Sequence, residues 1–188
     1  MPTYDDVEGR VVRVNDGNDS NVQRDLVISE TARYPLRFYN TAIPSLDFPA
    51  PVVLTVNPGE MTDEDFHGID EPPINLMFVR IRTNTWNMAT VARAVAYYTS
   101  RDVPVVLTFM AYFDQDISPQ YRRDYEFRKR TLNSYWCITK DAYARVMERF
   151  KDDFPVYSCS GPGPSGCKHC GNCLREYFAT MERMQKNL

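Results

Sequence analysis

No cysteine occurs in residues 1–136 of this 188-residue chain. A disulfide framework spread along the sequence is therefore excluded, and with it a secreted miniprotein. No apolar run approaches the ~18 residues of a membrane span. The opening Met1-Pro2-Thr3-Tyr4-Asp5-Asp6 has neither a basic nor an apolar leader region, so a cytoplasmic chain with no membrane partner is expected. Charge of one sign is also missing: 22 basic against 25 acidic residues leave −3, which gives no global pull toward nucleic acid or anionic lipid. A G-x-x-x-x-G-K-[ST] loop and a G-x-S-x-G elbow are both absent, so neither P-loop phosphate binding nor serine hydrolysis has a motif. What remains is globular in character. At 43% hydrophobic and 25% charged the composition excludes wholesale disorder, and the length suits one domain, or one plus an appendage.

Along the chain, residues 1–50 read as an irregular lead-in. Val11-Val12-Arg13-Val14 and Leu26-Val27-Ile28 look like short strands, and Pro35, Pro44, Pro49 and Pro51 interrupt the stretch from 35 to 51. Residues 51–158 read as an α/β core. Strands are expected near 52–56, 76–83, 103–110 and 135–138, all parallel, with a last one at 155–158. Helices are expected near 88–100 and 139–151, where Val91, Ala94, Val95 and Tyr98, then Tyr143, Val146, Met147 and Phe150, recur at helical spacing. Thr139 is placed to cap the second helix. Residues 159–188 read as a cysteine-rich metal-binding loop and a terminal helix. The fold class is thus α/β, a partial (β/α) barrel or open parallel sheet, whose sites lie beyond the C-terminal strand ends.

The densest chemistry is Cys159-Ser160-Gly161-Pro162-Gly163-Pro164-Ser165-Gly166-Cys167-Lys168-His169-Cys170-Gly171-Asn172-Cys173. Its spacing, C-x7-C-x2-C-x2-C, makes Cys159, Cys167, Cys170 and Cys173 metal ligands. Four of the eight glycines fall here, so backbone can fold tightly around a bound object. Cysteines three apart turn toward one centre, and C-x2-C-x2-C is a ferredoxin-type run for an iron–sulfur (4Fe-4S) cluster. Zinc, which also takes four thiolates, is the alternative. His169 reads as a solvent-facing neighbour, and the lone Cys137 as buried packing.

A β/α chain with strand-end loops and a cysteine-bound cluster resembles the radical S-adenosylmethionine (SAM) domains and their phage-encoded relatives. Asn57-Pro58-Gly59-Glu60 follows an apolar strand as the family's Gly-Gly-Glu motif does, and Cys159 to Cys173 is similar to the accessory cluster motifs of some members. The resemblance covers roughly residues 51–175. It implies that Gly59 and Glu60 bind the methionine end of SAM. The family's C-x3-C-x2-C loop after the first strand is absent, so it implies either a relocated cluster or a degenerate relative that only binds one. Asn84 and Tyr112, at neighbouring strand ends, would line the same pocket as Glu60.

Two further segments carry charge. Glu60, Asp63, Glu64, Asp65, Asp70 and Glu71 surround His67 without a basic residue between them, which reads as a hard-metal site or a solvated acidic loop. Residues 121–130 interleave Arg122, Arg123, Arg128, Lys129 and Arg130 with Tyr121, Tyr125 and Phe127. That pattern reads as a single-stranded nucleic-acid contact or as an amphipathic helix with aromatics packed inward. Two functions are implied: an iron–sulfur protein related to radical SAM enzymes, or a zinc-stabilised, non-catalytic binding protein touching nucleic acid through 121–130.

Overall fold

The computed structural model describes residues 2–15, 17–57, 68–113, 117–153, 155–159 and 170–187. In chain order its regular elements are β1 (Val12–Arg13), α1 (Arg24–Thr31), β2 (Arg37–Thr41), β3 (Val52–Val56), β4 (Leu76–Thr83), α2 (Met88–Thr99), β5 (Val105–Phe109), β6 (Tyr112–Phe113), β7 (Tyr125–Arg128), β8 (Tyr135–Ile138), α3 (Lys140–Arg149), β9 (Val156–Cys159) and α4 (Asn172–Gln185). Short 3-10 turns precede β1 and β7. No helix among the described residues is long and apolar enough to cross a membrane.

Six strands build one sheet in the order β1-β2-β3-β4-β5-β9, and every neighbouring pair is parallel. Spatial order follows chain order, which makes the sheet a six-stranded half-barrel. The central strands are rich in Val, Leu and Ile because both of their faces are covered. One face carries Val52, Leu54, Val79, Ile81 and Leu107 against Val91, Ala94, Val95 and Tyr98 of α2 and Val146 of α3. Thr139 caps α3 by accepting from the Ala142 amide at 3.3 Å, as its position predicts.

The opposite face carries Phe38, Val53, Phe78 and Val106, and α4 lies on it through Tyr177 and Met181. Both ends of α4 are tied to strands. Asn172 donates to the Ser158 carbonyl at 2.8 Å, at the end of β9. Arg183 donates to the Leu76 and Ile74 carbonyls at 2.7 and 3.0 Å, where β4 begins. The helix therefore starts at the C-terminal rim of the sheet and runs toward the opposite edge.

Three expectations are corrected. Residues 135–138 are not a parallel strand of the main sheet. As β8 they are the centre of a separate antiparallel sheet, β6-β8-β7. Only residues 129–134 separate β7 from β8, too few for the crossover a parallel pair needs, so the two close as a hairpin. Leu26-Val27-Ile28 is helical, within α1: Leu26 is exposed while Val27 and Ile28 pack against the core, a one-sided burial that suits a surface helix. Residues 121–130 form no amphipathic helix; a 3-10 turn ends at Asp124 and β7 comes next. Residues 1–50 supply β1, α1 and β2, so this segment contributes two strands of the half-barrel.

Candidate functional site: a basic cavity at the strand ends

β4 reads Leu76-Met77-Phe78-Val79-Arg80-Ile81-Arg82-Thr83. Side chains alternate across a strand, so Arg80 and Arg82 share the face of Phe78 while Val79 and Ile81 enter the helix-covered core. Parallel register then sets their neighbours: Arg80 lies beside Thr55, Arg82 beside Thr108, and Thr108 beside Cys159. The α4 face is thus apolar where the strands begin and polar where they end. Arg13 and Asn40 join from β1 and β2, and Cys173 comes from the first turn of α4. Together they line a cavity of about 430 Å³.

Among the described residues, charge inside it is dominated by guanidinium. Burial, and then the neighbouring Arg13 charge, press Arg80 below its ordinary value; Cys173 and Cys159 act the other way, and Arg80 donates a hydrogen bond to Cys173. Asp19 also reaches the cavity, but its carboxylate is already engaged. It accepts from the Asn21 amide at 2.8 Å, the Thr41 hydroxyl at 2.8 Å and the Ala42 amide at 2.6 Å, bracing the rim. Three buried oxygens of the lining have no hydrogen-bond partner among the described residues: Asn40 Oδ1, Asn57 Oδ1 and Thr108 Oγ1. Asn40 is only 6% exposed, and its amide nitrogen is fixed by donating to the Val14 carbonyl at 3.0 Å.

The chain matches no family model, no curated protein and no solved structure.

Of the predicted ligands, Cys159 and Cys173 meet at this cavity. Cys170 is half-buried, one helical turn's length of chain before Cys173. Cys167, Gly59 and Glu60, with both histidines, lie outside the described residues. Among the described residues no three His, Cys, Asp or Glu side chains form a group able to hold a metal ion. Cys137 is half-buried rather than core: its thiol donates to Glu126 Oε1 at 3.5 Å, and burial pushes it above the ordinary thiol value.

Asn84 and Tyr112 come together, but not at the basic cavity. Asn84 Oδ1 accepts from the Trp86 and Asn87 amides at 3.0 and 2.8 Å, which forms the turn into α2. Tyr112 packs on Trp86 with centroids 5.0 Å apart; burial pushes its hydroxyl up while a hydrogen bond with Asn84 opposes the shift. Tyr121 and Tyr125 join the same aromatic group, at 5.6 and 5.3 Å from Trp86. Of the basic residues of 121–130, Arg122 donates to the Ile117 carbonyl, Arg128 pairs with Glu126, and Arg130 stacks over Tyr135. Sequence reasoning missed Arg13, Asn40, Arg80 and Arg82. The available signal was Arg80 and Arg82, two residues apart inside an apolar strand, where one face must hold both charges.

Proposed function

We propose that this chain is a cytoplasmic metal-cluster protein related to radical SAM enzymes, with an iron–sulfur centre held by Cys159, Cys167, Cys170 and Cys173. One observation carries the reading: Cys159 from β9 and Cys173 from α4 reach the same strand-end cavity, beside Arg80. A guanidinium next to two thiols favours negative charge on sulfur, the form that ligates iron or zinc. The site would supply one-electron chemistry when loaded. This chain's residues fix the sulfurs on a strand end and a helix start, tie those two elements through the Asn172–Ser158 bond, and offset anionic charge with Arg80.

The parallel half-barrel supports the SAM part of the proposal, because such sheets place ligands beyond their C-terminal strand ends. Glu60 would accept from the methionine ammonium there.

Anaerobic purification with metal analysis and visible spectroscopy tests the centre. We expect brown protein absorbing near ~400 nm, as thiolate-bound iron–sulfur clusters do. Cys170→Ser should lose most of the metal, and Cys137→Ser should keep it. Metal-free protein, or equal loss from both variants, overturns the reading; colourless protein with stoichiometric zinc keeps the ligands but replaces the cluster. Calorimetric titration of reconstituted protein with SAM, beside Glu60→Ala, tests the enzyme. Absence of binding leaves a metal-binding module without this catalysis.

A further inference from the structure

We infer that the outer face of the small antiparallel sheet binds single-stranded nucleic acid, with bases stacking on Phe113 and Tyr135 and phosphates meeting Lys129 and Arg130. The inference goes beyond the metal reading. None of these four residues lines the strand-end cavity, and the inference stands if no metal binds.

Register assigns the two faces of β6-β8-β7. Tyr112 lies opposite Trp136, Trp136 opposite Phe127, and Ile138 opposite Tyr125, so these five side chains share one face. On it Tyr125 and Ile138 are buried, and Tyr112 and Trp136 pack against the core. The other face carries Phe113, Tyr135 and Arg128 in one row and Glu126 and Cys137 in the next. None of those five is buried, and Phe113 is 50% exposed. A sheet covered on one side ordinarily turns polar residues to water on the other. Here the solvated face presents two aromatic rings on adjacent strands.

The rings are arranged as a platform. Their centroids lie 5.6 Å apart and their planes are inclined at 53°, so neither ring covers the face of the other. Arg130 lies over Tyr135, 4.8 Å from the ring centroid, and donates to its hydroxyl at 3.1 Å. Unstacked bases pack on guanidinium planes as well as on rings, so Arg130 extends the surface.

Charge selects the occupant. Three cations, Arg128, Lys129 and Arg130, stand against one carboxylate, Glu126, in a chain that is acidic as a whole. Arg128 is paired with Glu126 at 2.6 Å, and Lys129 and Arg130 are exposed where the link to β8 begins, next to the ring row. A polyanion with flat apolar units fits rings flanked by cations. A protein partner fits less well, because lysine is depleted from protein interfaces. A duplex keeps its base faces inside its own stack and offers none to Phe113. The 121–130 segment thus supplies the cations, while both platform rings come from outside it.

Fluorescence anisotropy of the full chain tests this, with labelled oligothymidylate and oligouridylate of about 12 nucleotides and a duplex of the same length. We expect saturable binding of the single strands, at least about tenfold tighter than the duplex. The tighter of the two single strands assigns DNA or RNA. Phe113→Ala should weaken single-strand binding about tenfold without changing its salt dependence, and Phe113→Trp should keep it. Lys129→Gln should reduce the slope of log affinity against log salt by about 0.7, the share of one phosphate contact. Phe178→Ala, which removes an exposed ring on α4, should change neither. Each variant is first checked for a cooperative thermal melt, and the exposed Lys129→Gln serves if Phe113→Ala does not fold. No saturable binding to folded wild type at low salt, a duplex bound as tightly as the single strands, equal affinity of wild type and folded Phe113→Ala, or an equal loss in Phe178→Ala overturns the inference. An unchanged salt slope in Lys129→Gln overturns its phosphate part.

Discussion

Arg80 sits in a strand whose other side chains before it are Leu76, Met77, Phe78 and Val79, all buried. A lone charge there would be penalised by desolvation, so its neighbours explain its presence: Cys173 accepts its hydrogen bond, and the cavity gives it polar surroundings. Other residues carry a similar constraint without any charge. Tyr98 is fully buried and Tyr125 nearly so, and burial is the first cause driving both hydroxyls well above the ordinary phenol value. A phenol whose folded-state pKa is raised adds stability that is fully present below the unfolded value, about 10, and is lost as pH rises toward the folded one. We expect phenolate absorbance to show a late, cooperative step coincident with alkaline unfolding, and Tyr98→Phe to shrink that step. Gradual ionisation of every tyrosine near the ordinary value would contradict it. At the same scale, Thr139→Ala should cost about 1 kcal/mol in denaturant unfolding, because it removes the one side-chain cap seen on α3.

Among the elements, α4 has two roles. Its Tyr177 is buried against Phe38, with centroids 6.4 Å apart, and closes the apolar half of the sheet face. Its first turn delivers Cys173 to the strand-end cavity. Tyr177→Ala should destabilise the chain by about 3–5 kcal/mol, the range for removing a large core aromatic, with a measurable drop in thermal midpoint. If the proposed metal centre forms, the same variant should also weaken metal retention, because Cys173 is then held less firmly; undiminished metal content would show that Tyr177 does not help to position Cys173. Elements differ in how well the sequence announces them. The strands at 52–56 and 76–83 and the helix at 88–99 are marked by composition and spacing, since each buries a continuous surface. Leu26-Val27-Ile28 is not so marked: three apolar residues fit either period, and only the tertiary context of α1 decides. The hairpin at β7 and β8 turns on the length of the link between them, a topological matter that the apolar pattern of Tyr135-Trp136-Cys137-Ile138 does not record.

At the scale of the molecule, alternating strands and helices predict a parallel sheet, and the half-barrel has that form. The candidate site was legible only in part. Cys159 and Cys173 could be picked out because thiols in a short spacing are rare. Arg13 and Asn40 could not, because nothing local ties them to Arg80; strand order brings them there. Asn84 and Tyr112 lie just past the ends of β4 and β5, yet they turn toward α2 and the aromatic group around Trp86. A strand end is therefore a necessary but insufficient address.

The alternation of Arg80 and Arg82 with Val79 and Ile81 also bears on how the chain finds its register. Parallel sheets assemble slowly from distant segments, and a misaligned strand can be trapped. If β4 paired one residue out of step with β3, both guanidiniums would be driven into the apolar layer under α2, while Val79 and Ile81 would face the polar cavity. Burying both guanidiniums makes such an alignment costly, and we expect the two arginines to disfavour it during assembly. Replacing both with leucine should slow refolding through off-register species, visible as an added slow phase, even where the final sheet is just as stable.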